Sequence, residues 1–203
     1  MRWRRYGLDA TLLDCDSLRQ MTAVRAVIAA AEQDHITELV PGARSLLIAS
    51  RDGERGLATI RALVESADLE HPPAVEGREV LLDVHYDGAD LDRVAETAGI
   101  GADEVVELHT GAEYRVAFTG FAPGFGYLTG LPEPLRQPRL HTPRTSVPAG
   151  SVAVAGEFTG VYPRSSPGGW RLLGRTSAVL FDPRAERPAL LAPGDTVRFR
   201  SVG

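Results

Sequence analysis

The chain has 203 residues, 43% hydrophobic and 24% charged, ordinary values for a folded protein that can bury one large core or two modest ones. All 22 basic side chains are arginine, against 27 acidic ones and a net charge of −5, and that balance argues against a nucleic-acid partner. The absence of lysine excludes a Schiff base, a lysine general base and a Walker A loop.

The first residues, Met-Arg-Trp-Arg-Arg-Tyr, have no apolar core behind them and do not read as a signal peptide. No run approaches the roughly 18 apolar residues of a membrane span, so a soluble, cytoplasmic protein with no membrane contact is expected. Arg5 to Cys15 reads as a strand, with Cys15, the single cysteine, packed rather than reactive. Ser17 then offers N-cap chemistry to a helix whose apolar residues, Met21, Val24, Val27, Ile28 and Ala31, recur at helical spacing. His35 to Val40 and Ser45 to Ser50 are apolar runs separated by Pro41-Gly42, a hairpin signal. Helical spacing returns from Gly56 to Ala67. The β-α-β-β-α order suggests a small ferredoxin-like α/β domain over residues 1–75.

Asp68 to Gly77, with Pro72-Pro73, is the linker candidate, opening a second domain over 76–203. Arg78 to Tyr86 alternates as a strand, with Val80, Leu82 and Val84 on one face. Two short helices, Asp90 to Ala98 and Ala102 to His109, flank Gly99-Ile100-Gly101; the second lacks the basic residues of a DNA-reading helix. Residues 120–170 then hold 9 Gly and 8 Pro in 51 positions, which excludes long helices. Aromatic and aliphatic residues run through the stretch, so short strands closing into a β-barrel are expected. Ala178 to Asp182 and Thr196 to Arg200 read as closing strands, giving an α+β protein overall.

Three segments carry candidate chemistry. Phe118 to Leu128 alternates glycines with aromatics, as either a pocket wall or a tightly turned barrel corner. Arg144 lies on a proline-stiffened stretch between Pro143 and Pro148, poised for bidentate carboxylate recognition or for a structural ion pair. Pro167-Gly168-Gly169 before Trp170 can form an N–H nest for an oxyanion, or a plain turn under the tryptophan. His109, near a helix end, suits either capping or proton transfer. Ser151 lacks a nucleophile elbow, and no histidine spacing supports a metal site.

Together these segments resemble a known family. Gly120-Phe-Ala-Pro-Gly-Phe-Gly-Tyr-Leu128, Pro143-Arg144 with Val147-Pro-Ala-Gly-Ser-Val152, and Thr159-Gly-Val-Tyr-Pro163 leading to Pro167-Gly-Gly-Trp170 and Gly174-Arg-Thr176 are similar to the family of the 5-oxoprolinase B subunit and allophanate hydrolase subunit 1, which also includes Kip-type inhibitors of a sporulation histidine kinase. The resemblance is tightest over residues 80–203. It departs at Gly126, where the family commonly has proline, and at Asp87-Gly88-Ala89, where the family has a longer glycine-rich loop.

The resemblance implies a cyclophilin-like barrel for the C-terminal domain. It also implies a companion protein with a related barrel (the 5-oxoprolinase C subunit or allophanate hydrolase subunit 2) and, in the 5-oxoprolinase system, the A subunit. The implied reaction is ATP-dependent opening of 5-oxo-L-proline to L-glutamate, with ATP used at the level of the complex and this chain inactive alone. Allophanate hydrolysis and binding-only kinase inhibition are the alternatives. On this reading Arg144 and Arg175 would bind carboxylate or phosphate, and Gly168 and Gly169 an oxyanion. His109 and Tyr162 would be proton-transfer candidates. Phe125, Tyr127, Ser151 and Trp170 would contact a small amide substrate, with no metal.

Overall fold

The computed structural model describes residues 1–75 and 77–203, and the chain divides into two compact units, Met1–Glu76 and Gly77–Gly203. The linker and domain boundary expected from the sequence touch position 76, which lies outside the described residues.

The first unit is a four-stranded antiparallel sheet with two helices. Its strands β1 (Arg2–Tyr6), β2 (Ala10–Asp14), β3 (Ile36–Pro41) and β4 (Ser45–Ser50) lie in the order β1-β2-β4-β3. The single strand expected over Arg5 to Cys15 is instead the β1–β2 hairpin, because Gly7 at φ +78° turns the chain between Tyr6 and Ala10. Helix α1 (Leu18–Ala30) starts where the Ser17 hydroxyl accepts the Gln20 N–H, a side-chain cap for one of the free first-turn donors. Its buried Met21, Val24 and Ile28 pack on Leu13, Leu46 and Ile48 of the sheet, and helix α2 (Gly53–Ser66) adds Ile60 and Val64 to the same core. Cys15 joins that core, and burial pushes its thiol up to about 11, which keeps it in the inert neutral form.

The second unit wraps a seven-stranded sheet into a nearly closed, barrel-like form that fits a cyclophilin-like fold. The strands are β5 (Glu79–Val84), β6 (Tyr114–Thr119), β7 (Gly126–Thr129), β9 (Ser151–Ala155), β10 (Phe158–Val161), β12 (Arg171–Arg175) and β13 (Thr196–Ser201), in the order β12-β9-β10-β7-β6-β13-β5. Only β13 with β5 is parallel. The two edges approach one another just past β5, where His85 and Arg175 exchange both backbone hydrogen bonds at 2.9 Å. Val80, Leu82 and Val84, alternating inward as expected, meet Val152, Val154 and Val197 in the barrel core.

Helices α3 (Leu91–Ala98) and α4 (Ala102–Gly111) contribute Val94 and Val105 to that core. A two-stranded ribbon, β8 (Arg144–Val147) with β11 (Ser166–Gly168), stands outside the main sheet. Between residues 120 and 170 the only helical segment is the 3-10 turn Glu133–Leu135. The strand expected over Ala178 to Asp182 does not form; that segment makes one isolated bridge, Phe181 with Ala189. Asp195 anchors the start of β13. Its carboxylate accepts the backbone N–H of Arg78 and of Ala192 at 2.9 Å each, and the Arg78 guanidinium at 3.2 Å.

Candidate functional site

The turn that enters β7 brings Phe121, Phe125 and Tyr127 against Tyr162, just beyond β10, and Trp170, just before β12. Phe125 is the hub, meeting Tyr127, Phe121, Trp170 and Tyr162 edge-to-face with centroids 5.0 to 5.5 Å apart, a favoured arrangement of ring quadrupoles. Two glycines make room for them. A β-carbon at Gly160 would stand 3.0 Å from Cζ of Phe125 and 3.2 Å from Cζ3 of Trp170, and one at Gly168 would collide with the Tyr162 hydroxyl.

These residues enclose a cavity of about 220 Å³, lined also by Arg139, Pro143, Pro167, Gly168 and Gly169. Six of the residues expected from the sequence therefore meet in one place: Phe125, Tyr127, Tyr162, Gly168, Gly169 and Trp170. Tyr162 is buried, which raises its hydroxyl above the ordinary tyrosine value and keeps it protonated, so at neutral pH it is a hydrogen-bond donor. Gly168 and Gly169 do not take the left-handed conformation that an N–H nest uses. Gly168 pairs with Arg144 across the β8–β11 ribbon, and neither glycine has positive φ.

The other expected residues lie apart from this cavity. Arg144 donates to Asp90 Oδ1 at 2.8 Å and to the Trp170 carbonyl at 3.4 Å, so it supports the pocket from behind as half of an ion pair. Arg175 lies on the barrel's closing edge, paired with Asp87 at 2.8 Å, and borders a different cavity with His85 and Tyr86. Ser151 is buried in β9, where its carbonyl accepts the Tyr162 N–H at 2.9 Å. His109 is fully buried in the barrel, packed on Tyr114 and Phe199, and burial lowers its imidazole to about 3.

Two pocket residues were not singled out in the sequence. Arg139 is the one charged side chain lining the cavity, and Pro138-Arg139-Leu140 carries no motif to mark it. Phe121 belongs to the aromatic segment but is distinguished only by its backbone: at φ +64° it occupies the left-handed region, and the residue is 57% exposed where it lines the pocket. For a bulky residue that conformation costs on the order of 1–2 kcal/mol. The turn is held by Ala122 N–H to Gly120 O at 2.7 Å and Phe125 N–H to Ala122 O at 2.9 Å.

The arrangement can bind a small, flat, polar molecule: rings for its faces, a hydroxyl donor within, and a guanidinium for negative charge. A family model described as carboxyltransferase domain, subdomain C and D, matches residues 1–191. The 5-oxoprolinase B subunit of Escherichia coli O157:H7 is 44% identical over 172 residues, which is 83% of this chain and 79% of that protein. Among solved structures, TTHA0988 is similar at 34% identity and a TM-score of 0.78, over 96% of this chain and 40% of that one; this chain thus spans well under half of that solved chain. The Kluyveromyces lactis urea amidolyase shares the fold at 20% identity and a TM-score of 0.73, over 98% of this chain and 15% of its own. By its match to the family model and to the Escherichia coli relative, the chain belongs to the family of the 5-oxoprolinase B subunit.

Proposed function

We propose that this protein is one component of an ATP-dependent 5-oxoprolinase complex, acting with companion subunits to open 5-oxo-L-proline to L-glutamate. The observation that carries the proposal is the aromatic cavity of about 220 Å³ with a single guanidinium at its edge, in a chain 44% identical to a 5-oxoprolinase B subunit. A cavity below the roughly 300–1,000 Å³ of drug-sized ligand sites suits a five-membered lactam and is too small for a nucleotide. The chain also has no lysine for a phosphate loop. ATP therefore belongs to the complex and is handled outside this pocket.

In this reading Phe125, Tyr127 and Trp170 bind the faces of the ring and exclude water. Tyr162, held protonated, donates a hydrogen bond to a substrate oxygen, an interaction worth more in a dry site than in water. The N-terminal unit is read as ferredoxin-like, with β1 added at the front of the sheet, and a related barrel is assigned to the companion protein. The protein is assigned to the cytoplasm.

The test is glutamate release from 5-oxo-L-proline and ATP, with this chain alone, with its companions, and with companions alone. Glutamate only from the full mixture is the expected result. A folded, assembled complex that releases none, but turns over allophanate, overturns the proposal.

A further inference from the structure

The two arginines that the sequence points to are already engaged. Arg144 is committed to Asp90 and the Trp170 carbonyl, and Arg175 to Asp87. Arg139 differs: it is exposed, it lines the cavity, and no ion pair or hydrogen bond holds its guanidinium among the described residues. No carboxylate side chain lines the same cavity, so this positive charge has no internal counter-ion there. Its field reaches the Tyr162 hydroxyl inside the pocket. An unpaired guanidinium at the rim of an apolar cavity is a site for an anion, and its fork geometry matches a carboxylate. The walls beside it, Trp170, Phe125 and Pro143, suit a small ring carrying that carboxylate.

Resting on the proposed function, we infer that Arg139 is the specificity-determining residue of the pocket, the anchor for the substrate's carboxylate, and that it selects carboxylated cyclic amides over neutral ones. The role the sequence suggested for Arg144 passes to a neighbour five positions upstream whose charge is free to accept a ligand. A substrate held this way presents its ring to the aromatic walls and its amide to the interior, toward Tyr162.

The experiment uses the assembled complex and two probes, 5-oxo-L-proline and 2-pyrrolidinone, the same lactam without the carboxylate. Calorimetry gives Kd for each with wild type, Arg139→Gln and Arg139→Lys; glutamate release gives KM and kcat. Arg139→Gln is expected to weaken 5-oxo-L-proline about tenfold to a hundredfold, the loss of one charge-assisted pair. Binding of 2-pyrrolidinone should stay unchanged, kcat should be largely kept, and Arg139→Lys should restore part of the affinity. Equal affinity of wild type and Arg139→Gln for 5-oxo-L-proline overturns the inference, as does a parallel loss for both probes. Failure of the proposed function is a separate result: binding that depends on Arg139, in a complex that releases no glutamate, keeps the anchor and removes the reaction.

Discussion

Asp90 holds Arg144 with one carboxylate oxygen, at 2.8 Å, and the backbone N–H of Leu172 with the other, at 2.7 Å. The Asp90 side chain is 8% exposed and the Arg144 side chain 29%, so the two charges lie largely out of water and complement one another. The pair ties the start of α3 to β12 and, through the Trp170 carbonyl, to the back wall of the pocket.

Removing either partner leaves a largely buried charge without its complement. Asp90→Ala and Arg144→Ala are each expected to cost about 3 kcal/mol of stability. The double variant should cost clearly less than their sum, because the second loss removes the charge the first left stranded. Denaturant unfolding of the four proteins measures this; strictly additive losses would show that the two residues do not couple.

The buried His109 makes a second prediction. Oγ1 of Thr159 donates to the Ala153 carbonyl at 3.1 Å, so it accepts from Nε2 of His109 at 3.0 Å; Nδ1 then accepts from the Tyr86 hydroxyl at 2.7 Å. That network satisfies the neutral imidazole, and burial disfavours the charged form that a second proton would create. The unfolded chain takes up this proton near the ordinary value of 6.5, the folded chain only near about 3. Between those values the unfolded state binds more protons. The stabilisation is therefore fully present above 6.5 and is lost as pH falls through the window. At pH 5 the loss should be about 2 kcal/mol. His109→Gln, compared with wild type by urea unfolding at pH 7 and pH 5, should flatten that dependence even if it lowers stability at both.

Much of this fold is legible because its signals are local. The Ser17 cap, the Pro41-Gly42 hairpin and the alternation of Val80, Leu82 and Val84 each depend on residues a few positions apart, and each forms as read. The β1–β2 hairpin was hidden because one glycine, Gly7, supplies its turn between two runs that continue the same alternation. The apolar run from Ala178 to Asp182 misled for the opposite reason. Its composition suits a strand, yet Phe181 pairs only with Ala189, and Pro183 and Pro188 stand between them. At the site, the aromatics declared themselves by composition and the arginines did not. Which guanidinium is free depends on which carboxylate the fold delivers, and Asp90 reaches Arg144 from 54 positions away.

The two glycines at positions 168 and 126 should respond differently to the same change. Gly168→Ala drives a methyl group into the buried Tyr162 hydroxyl, whereas at Gly126 the nearest atoms are Leu191 and Val116 side chains at 3.4 and 3.5 Å. Overpacking a tight site costs about 1–3 kcal/mol, so Gly168→Ala should lower the melting temperature and weaken ligand binding together. Gly126→Ala, in ordinary contact range, should change either by little. Thermal unfolding with and without 5-oxo-L-proline reads both effects, and equal behaviour of the two variants would discount the Gly168–Tyr162 contact.

Phe121 separates strain from function at one position. Its φ of +64° is costly for any residue with a β-carbon, and its ring leans edge-on over Phe125 and Tyr162, centroids 5.3 and 6.0 Å away. Glycine relieves the backbone and deletes the ring; alanine deletes the ring and keeps most of the strain. Phe121→Gly should therefore be more stable than Phe121→Ala by about 1 kcal/mol, while both lose the same pocket wall and bind ligand equally poorly. Denaturant unfolding reads the first difference, and calorimetry in the assembled complex reads the second. Tight binding by Phe121→Gly would mean that the ring is dispensable and that its conformation serves something other than this pocket.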